Sequence, residues 1–422
     1  MADLSTLAAA LKVFYIGGIN EQLNQESVLY KRLAKPAQLD ATGKSYTYAL
    51  KTSRNVSAGI GISDGGAFPS TGSQGVVNCI VPSKEITTGL EITGQAIRAA
   101  KGNPGAFVNG VKFEVDGASS DMVRSMNRQF HSDGTDALAF WVGADDTSGT
   151  NVDDGNVGVN GSATTGNAQV HLEPVETLDL IDATDNATVL GNDIVVTLGA
   201  EAANAYAITW SGTVSGSADG DYLVKKDSLG KQLMGIRGII SASNPPLASL
   251  QGLDPATSPY WAAQSFFNSG TLREMSQALL QRPLSQISMR SAFSDKDVAF
   301  LMSNYPVLDK YKAYCVANRY HVNDMELDGG VTAVTFNNKP WIPDVQCRRN
   351  VLYYINPKSI DVLTSSDGIQ WFDFLDTGRF AKKVTTSGYM DAYQAFLVFY
   401  GNMATNARNS NAVLGDLSES VS

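Results

Sequence analysis

Two arms of alternating apolar residues enclose a stretch that cannot fold alone, and this limits the chain more tightly than any other feature. Tyr46, Tyr48 and Leu50 follow a period of two, as do Val77, Cys79 and Val81, with Leu90 and Ile92 continuing the pattern. That period marks strands, and the arms read as a long β-hairpin. Between them, Ser57 to Gly75 holds six glycines (Gly59, Gly61, Gly65, Gly66, Gly72 and Gly75) and few large apolar residues. A two-stranded hairpin is marginal in water, and one with so loose a tip needs a neighbour to lie on. The alternative is a plain surface loop.

The 422-residue chain has room for a large core and for two or three domains. No apolar run approaches the ~20 residues of a membrane helix. Met1 to Leu11 lacks the basic flank and continuous apolar stretch of a secretory signal, so assembly or function inside a cell is expected. Charge is unevenly placed. From Ala144 to Val224 there are thirteen acidic residues and no Lys or Arg, which leaves 42 − 13 = 29 acids against 32 bases elsewhere, so the net charge of −10 belongs to this one segment. Such a block repels nucleic acid and suits a face turned away from DNA.

The same segment changes texture to Gly, Ser, Thr, Asn and Asp around short β-type runs: Gln169 to Leu172, Ile194 to Leu198, Tyr206 to Trp210 and Tyr222 to Lys225. Strands at this spacing predict a small all-β domain over 144–226, with Asp145 to Gly166 as a mobile loop. Upstream, Leu4, Leu7, Leu11 and Phe14 fit a short amphipathic helix, and Asn103-Pro104 opens a long one carrying Phe107, Val111 and Val115, then Met122, Met126 and Phe130, to about Gln129. Downstream the chain is mixed α and β. Thr271 to Glu274 has the form of a capping box, with Pro283 ending or kinking the helix that follows. Val298 to Met302, Val351 to Ile355 and Ala395 to Tyr400 read as buried strands, and Val307, Tyr311, Tyr314 and Cys315 as a helical stripe. Val331 to Phe336 turns at Asn337-Asn338 into Trp341 and Ile342 as a hairpin. The class is α+β.

Four places carry residue types that could do chemistry. Gly43-Lys44-Ser45 has the end of a phosphate loop, but Gln38 stands where the motif requires Gly and a strand follows where a helix should. His131 and Asp133 are near neighbours at a helix end, where capping is the commoner work. Asp219 and Asp221 lack the other oxygen ligands of a calcium loop. Cys79, Cys315 and Cys347 are too dispersed for a disulfide framework or a zinc site and read as buried small hydrophobes. No cofactor, no metal and no enzymatic activity is expected.

Leu23 to Leu33, the Gly-rich arm, Ile86 to Ile97 and the helix ending in Asn127-Arg-Gln-Phe-His-Ser-Asp-Gly-Thr135 occur in this order. They are followed by Tyr260-Trp261, Gly270 to Arg273, Glu326 to Gly330, Tyr400 to Asn402 and Arg408-Asn409. In that colinear order the pieces resemble the major capsid proteins of tailed bacteriophages with the HK97-type fold. The resemblance implies an N-terminal arm (1–40), an extended loop hairpin and the start of the peripheral domain (41–97), and a peripheral domain with a long spine helix (98–143). The inserted acidic domain (144–226), a mainly axial domain (227–385) and a return to the peripheral domain (386–422) would follow.

The same resemblance implies a subunit of an icosahedral shell assembled in the bacterial cytoplasm around double-stranded DNA. Its partners would be copies of itself in pentamers and hexamers, DNA by nonspecific contact, a portal protein, and a separate scaffold or decoration protein, with no membrane. Contacts between subunits would come from Tyr46, Tyr48, Leu50, Ile60, Ile62, Phe68 and Val77 of the extended loop and from Leu4, Leu7, Leu11 and Phe14 of the arm. Lys51 and Lys84 match no partner for the isopeptide bond some relatives form, so assembly is expected to be noncovalent. A bacterial nanocompartment shell would share the fold and differ in cargo. An extracellular adhesin fits the β-rich acidic portion but not the long helix.

Overall fold

The computed structural model describes residues 28–419 except 34–44, 56, 58, 69, 96–103, 142–150, 154–156, 159–161, 164–175, 203–204, 212–213, 215, 219, 319–323, 328–330, 365–367, 375–377 and 386–387. In chain order it opens with helix α1 (Val28–Arg32), the hairpin β1 (Ser45–Ser53) and β2 (Gly75–Pro82), strand β3 (Lys84–Thr93) and the long helix α2 (Pro104–His131). At 28 residues α2 spans about 42 Å. It begins at the proline expected to open it and ends at the polar turn. Val115, Met122, Val123, Met126 and Phe130 are all buried along one side, over Ile86 and Leu90 of β3, and Tyr30 of α1 stacks on Phe130 with ring centroids 5.5 Å apart.

Next come β4 (Ala139–Trp141), β5 (Asn151–Asp153), the small pair β6 (Val157–Gly158) and β7 (Ser162–Ala163), then β8 (Thr177–Ile181), β9 (Val189–Ala202), β10 (Ala205–Ser211) and β11 (Tyr222–Lys225). Six of these close into a barrel in the order β10, β5, β4, β11, β8, β9. Three of the four expected β runs lie in β9, β10 and β11; Gln169 to Leu172 lies outside the described residues. The expected mobile loop contains β5, and the reason is closure: β5 bridges β4 and β10, so without it the barrel would have two open edges.

The chain continues through α3 (Ile236–Ile239), β12 (Gln264–Phe266), α4 (Gln277–Arg290), β13 (Phe300–Ser303), α5 (Tyr305–Ala317), β14 (Asp324–Leu327), β15 (Val331–Phe336), β16 (Lys339–Pro343) and β17 (Leu352–Ile355). It ends with β18 (Ile360–Thr364), β19 (Gln370–Trp371), β20 (Ala381–Thr385), β21 (Gly388–Thr405) and β22 (Ala412–Leu414). A seven-stranded sheet runs β12, β22, β17, β13, β16, β15, β14. Its central strands are apolar throughout because both faces are covered. Phe300, Met302, Tyr353, Ile355 and Val413 enter the core shared with α2, while Leu301, Leu352, Tyr354, Ala412 and Leu414 enter a second core under α4 and α5. Asn337 and Asn338, at φ 54° and 59°, make the β15–β16 turn with both central residues left-handed, as a two-residue hairpin requires.

Three expectations are corrected. Thr271 to Glu274 does not cap α4; Ser276 does, its Oγ accepting from the Leu279 amide at 3.3 Å. Arg273 is held elsewhere, its backbone bonded to Asp416 and its guanidinium to the Gly415 carbonyl. Pro283 does not end the helix, which runs on to Arg290 because Leu280, Leu284 and Ile287 stay buried beneath it. β18, β19 and β20 pair with β21 in a five-stranded sheet, β3 pairs with the same strand, and β22 returns to the seven-stranded sheet. Ten consecutive pairs from Ala392↔Thr93 to Gly401↔Lys84 hold β3 to β21, so β3 does not extend the hairpin as its alternation suggested.

Candidate interaction surface

The hairpin register sets Tyr46 opposite Val81, Tyr48 opposite Cys79 and Leu50 opposite Val77, joining the residues whose alternation defined the arms. Side chains of a strand alternate between faces, so Thr47, Ala49, Lys51, Val76, Asn78 and Ile80 form the other side. The inner side lies on the body of the same chain. Cys79 is in the main core, Leu50 packs half-buried against it, and Tyr46 and Val81 join Leu363 and Ala404 in a small cluster. The outer side faces solvent, and beside Thr47, Lys51 and Asn78 it carries two large apolar residues, Val76 at 59% exposure and Ile80 at 54%.

Past the arms the loop carries Ile60, Ile62 and Phe68, all exposed, Phe68 at 88%. Few bonds cross it: the Gly72 amide donates to Ser57 Oγ at 3.2 Å and the Gly75 amide to Ser53 Oγ at 2.9 Å. A Cβ at Gly75 would sit 2.3 Å from Ser53 Oγ and would displace the hydroxyl that the Gly75 amide bonds. A local turn from Ser63 to Gly66 closes at 2.9 Å, with Gly65 at φ +74°. The result is an extension with apolar side chains on its outer face and tip and none of them packed against its own chain.

Of the residues expected to meet another copy, Ile60, Ile62, Phe68 and Val77 are exposed and available. Tyr46 is not. At 1% exposure it belongs to the chain's own packing, because the hairpin leaves the body only beyond its first residues. Leu50 is intermediate, the side chain of Tyr48 lies outside the described residues, and so do Leu4, Leu7, Leu11 and Phe14. Val76 and Ile80 were missed; their signal was apolar residues on the parity assigned to solvent. A second exposed patch, Val384, Tyr389 and Met390, sits where β20 turns into β21, with Lys382 Nζ 5.8 Å from the centre of the Tyr389 ring.

The end of α2 uses its polar residues to stop the helix. His131 Nδ1 donates to the Asn127 carbonyl at 2.9 Å, Ser132 Oγ accepts from the Asp136 amide, and Arg128 grips Asp136 with two bonds of 2.8 and 2.7 Å. Burial works against the Asp133 carboxylate, yet Arg237 at 3.4 Å and the hydroxyl and amide of Thr135 together hold its pKa below the usual range. Asp221 receives the amides of Ala183 and Ala218, so it braces a barrel loop; Asp219 lies outside the described residues. Strand β1 follows Gly43-Lys44 directly. Among the described residues no group of three or more His, Cys, Asp or Glu is placed to hold a metal ion, and no helix is long and apolar enough to cross a membrane. All three cysteines are buried, and burial pushes the Cys79 and Cys347 thiols up. What this surface can do chemically is bind apolar protein surface.

No protein-family model matches the chain, and no curated protein does. Among solved structures, the capsid asymmetric unit of cyanophage A-1(L) aligns over 93% of this chain and 93% of its own at 10% identity, with a TM-score of 0.52. A structure from Mycobacterium phage Bobi covers 94% of this chain and 92% of its own at 5% identity and a TM-score of 0.43. A virus-like particle from Pyrococcus furiosus covers 94% and 96% at 9% identity and 0.37. The likeness to the cyanophage structure is one of fold: this chain has the HK97-type fold.

Proposed function

We propose that this chain is a major capsid protein that assembles into the icosahedral shell around the double-stranded DNA of a tailed phage. The observation that carries the reading is the hairpin, which rests its inner face on the body of its own chain and presents Val76, Ile80, Ile60, Ile62 and Phe68 to solvent. Exposed apolar surface on a projecting element is stabilised when another protein covers it. The HK97-type fold supplies the context, and the cyanophage structure of that fold is a capsid asymmetric unit.

Association would be heterologous, the outer face of one hairpin meeting a different patch on the next copy, so that rings close about symmetry axes. The hairpin and an N-terminal arm would together bury far more than the roughly 1,000 Å² a stable interface needs. The barrel would be an inserted domain on the outer surface, where its acidic residues lie away from DNA. Nonspecific DNA contact, a portal, a scaffold and a decoration protein complete the expected partners, with assembly in the host cytoplasm and no isopeptide bond. Lys84 is engaged already, donating to the Gly230 carbonyl.

Electron microscopy of the purified full chain is the direct test, closed shells being the expected result. Deleting Ser57 to Gly75 should leave a soluble subunit that forms no closed particles. Normal shells from that deletion would refute the role assigned to the loop.

A further inference from the structure

The solvent side of α2 is marked by charge and by one gap. Glu114, Gly117, Asp121 and Arg124 recur at helical spacing and are all exposed, turned away from Val115, Met122 and Met126 in the core. Neither Glu114 nor Asp121 is held in an ion pair among the described residues. Between them stands Gly117, in mid-helix, where glycine orders less readily than alanine. Its own chain gives it no steric reason: a Cβ there would meet no heavy atom within 4 Å. The position leaves bare backbone open to close approach from outside.

On the hairpin the charge has the opposite sign. From Ser45 to Pro82 the ionisable acids and bases are Lys51, Arg54 and, at the tip, Asp64. Lys51 lies on the outer side, directly opposite Val76. The register shift between Lys51 and Ser53 inserts Thr52, and a bulge of this kind resets the alternation. Ser53 therefore shares the side of Gly75, and Arg54 returns to the side of Lys51. Both cations are exposed and lack an ion-pair partner among the described residues. Three residues of extended chain set them about 10 Å apart, and seven residues of helix set Glu114 and Asp121 apart by about the same 10 Å.

We infer that the outer face of one copy's hairpin lies across α2 of a second copy, with Lys51 and Arg54 against Glu114 and Asp121 and Val76 over the gap at Gly117. Both faces are open to water within one chain, so neither covers the other there. Exposed ion pairs add little affinity. The charges thus fix where the hairpin lies and in which direction, while burial of Val76 and Ile80 supplies the attraction. Each copy offers one hairpin and one helix, the head-to-tail arrangement from which rings close. This assignment rests on the reading of the hairpin as an element that reaches over an adjacent copy, and it names the surface that receives it.

The test uses the full chain. Lys51→Glu with Arg54→Glu should raise the subunit concentration needed for assembly by roughly tenfold or more, and Glu114→Lys with Asp121→Lys should do the same. All four substitutions in one chain restore the opposed charges and should bring assembly back; a quadruple variant no better than either pair overturns the assignment. Gly117→Gln separates docking from folding, because glutamine favours helix and has room in the lone subunit. Its melting temperature should hold or rise while assembly weakens, and assembly like wild type overturns the place given to Gly117. Should the charge variants fail to fold, as circular dichroism of the unassembled subunit would report, Gly117→Gln decides alone. Wild-type chain that forms no particles overturns the hairpin reading and this assignment together, a different result from wild-type particles whose charge reversals do not rescue each other.

Discussion

Arg408 shows how a single residue can tie segments that lie far apart in the sequence. Its guanidinium joins the carbonyls of Gly238, Ile239, Ser243 and Trp261 to the chain just before β22, and burial alone lowers its pKa to about 10. Replacing it by methionine would keep the volume and leave four carbonyls without a donor. Arg408→Met should therefore lower stability by at least about 3 kcal/mol, read as a fall in the denaturation midpoint. Tyr353 sets a limit at alkaline pH. Fully buried, its phenol is pushed up to about 12 from the ordinary value near 10, chiefly by burial, and the phenols of Tyr354, Tyr311 and Tyr222 are raised in the same direction. A raised folded value means the unfolded chain releases its proton first. The stabilisation is whole below pH 10 and is lost as pH rises from there through about 12. The ultraviolet phenolate signal of these tyrosines should appear together with unfolding, and an early, separate titration would contradict their burial.

At the scale of elements, the hairpin and α2 obey opposite rules. The stripe on α2 is satisfied within the chain, and Phe130 and Met126 are simply core. The outer face of β2 is apolar without being satisfied. Val76→Glu with Ile80→Glu should thus leave the melting temperature of the unassembled subunit nearly unchanged, because both side chains already face water. The same pair should abolish particles, since two charges would be buried unpaired at an interface. A large drop in subunit stability would instead place these residues in a fold contact that the structure lacks. The arms of the hairpin were legible in advance because alternation is a local property, and the register followed it residue for residue. The start of α4 was not, since Thr271 and Ser276 both suit a cap and only the tethering of Arg273 to Asp416 decided between them.

For the whole molecule, the path of the chain through the barrel sets what a deletion should do. It begins and ends beside the end of α2: the Leu138 amide bonds to the Leu223 carbonyl at 2.8 Å, and Gly235 packs so closely on Gln129 and Ser132 that a Cβ would lie 2.4 Å from a carbonyl. Removing 144–224 and rejoining the ends should leave particles that assemble, while the subunit charge changes from −10 to −10 + 13 = +3. Electrophoretic mobility of intact particles should fall or reverse; unchanged mobility would argue against an outward barrel. The sequence alone determined the class, the strands with their faces, the Asn337-Asn338 turn, the long helix and the confinement of acidity to one segment. All of these depend on neighbours a few residues apart, where periodicity and turn chemistry act directly. Only the tertiary structure decided that β3 lies along β21 some 300 residues away, that Tyr46 serves its own chain, and that Arg408 finds a backbone carbonyl for each of its nitrogens. Partners across such separations are chosen by which surfaces pack together, and a residue's type does not encode what it will meet.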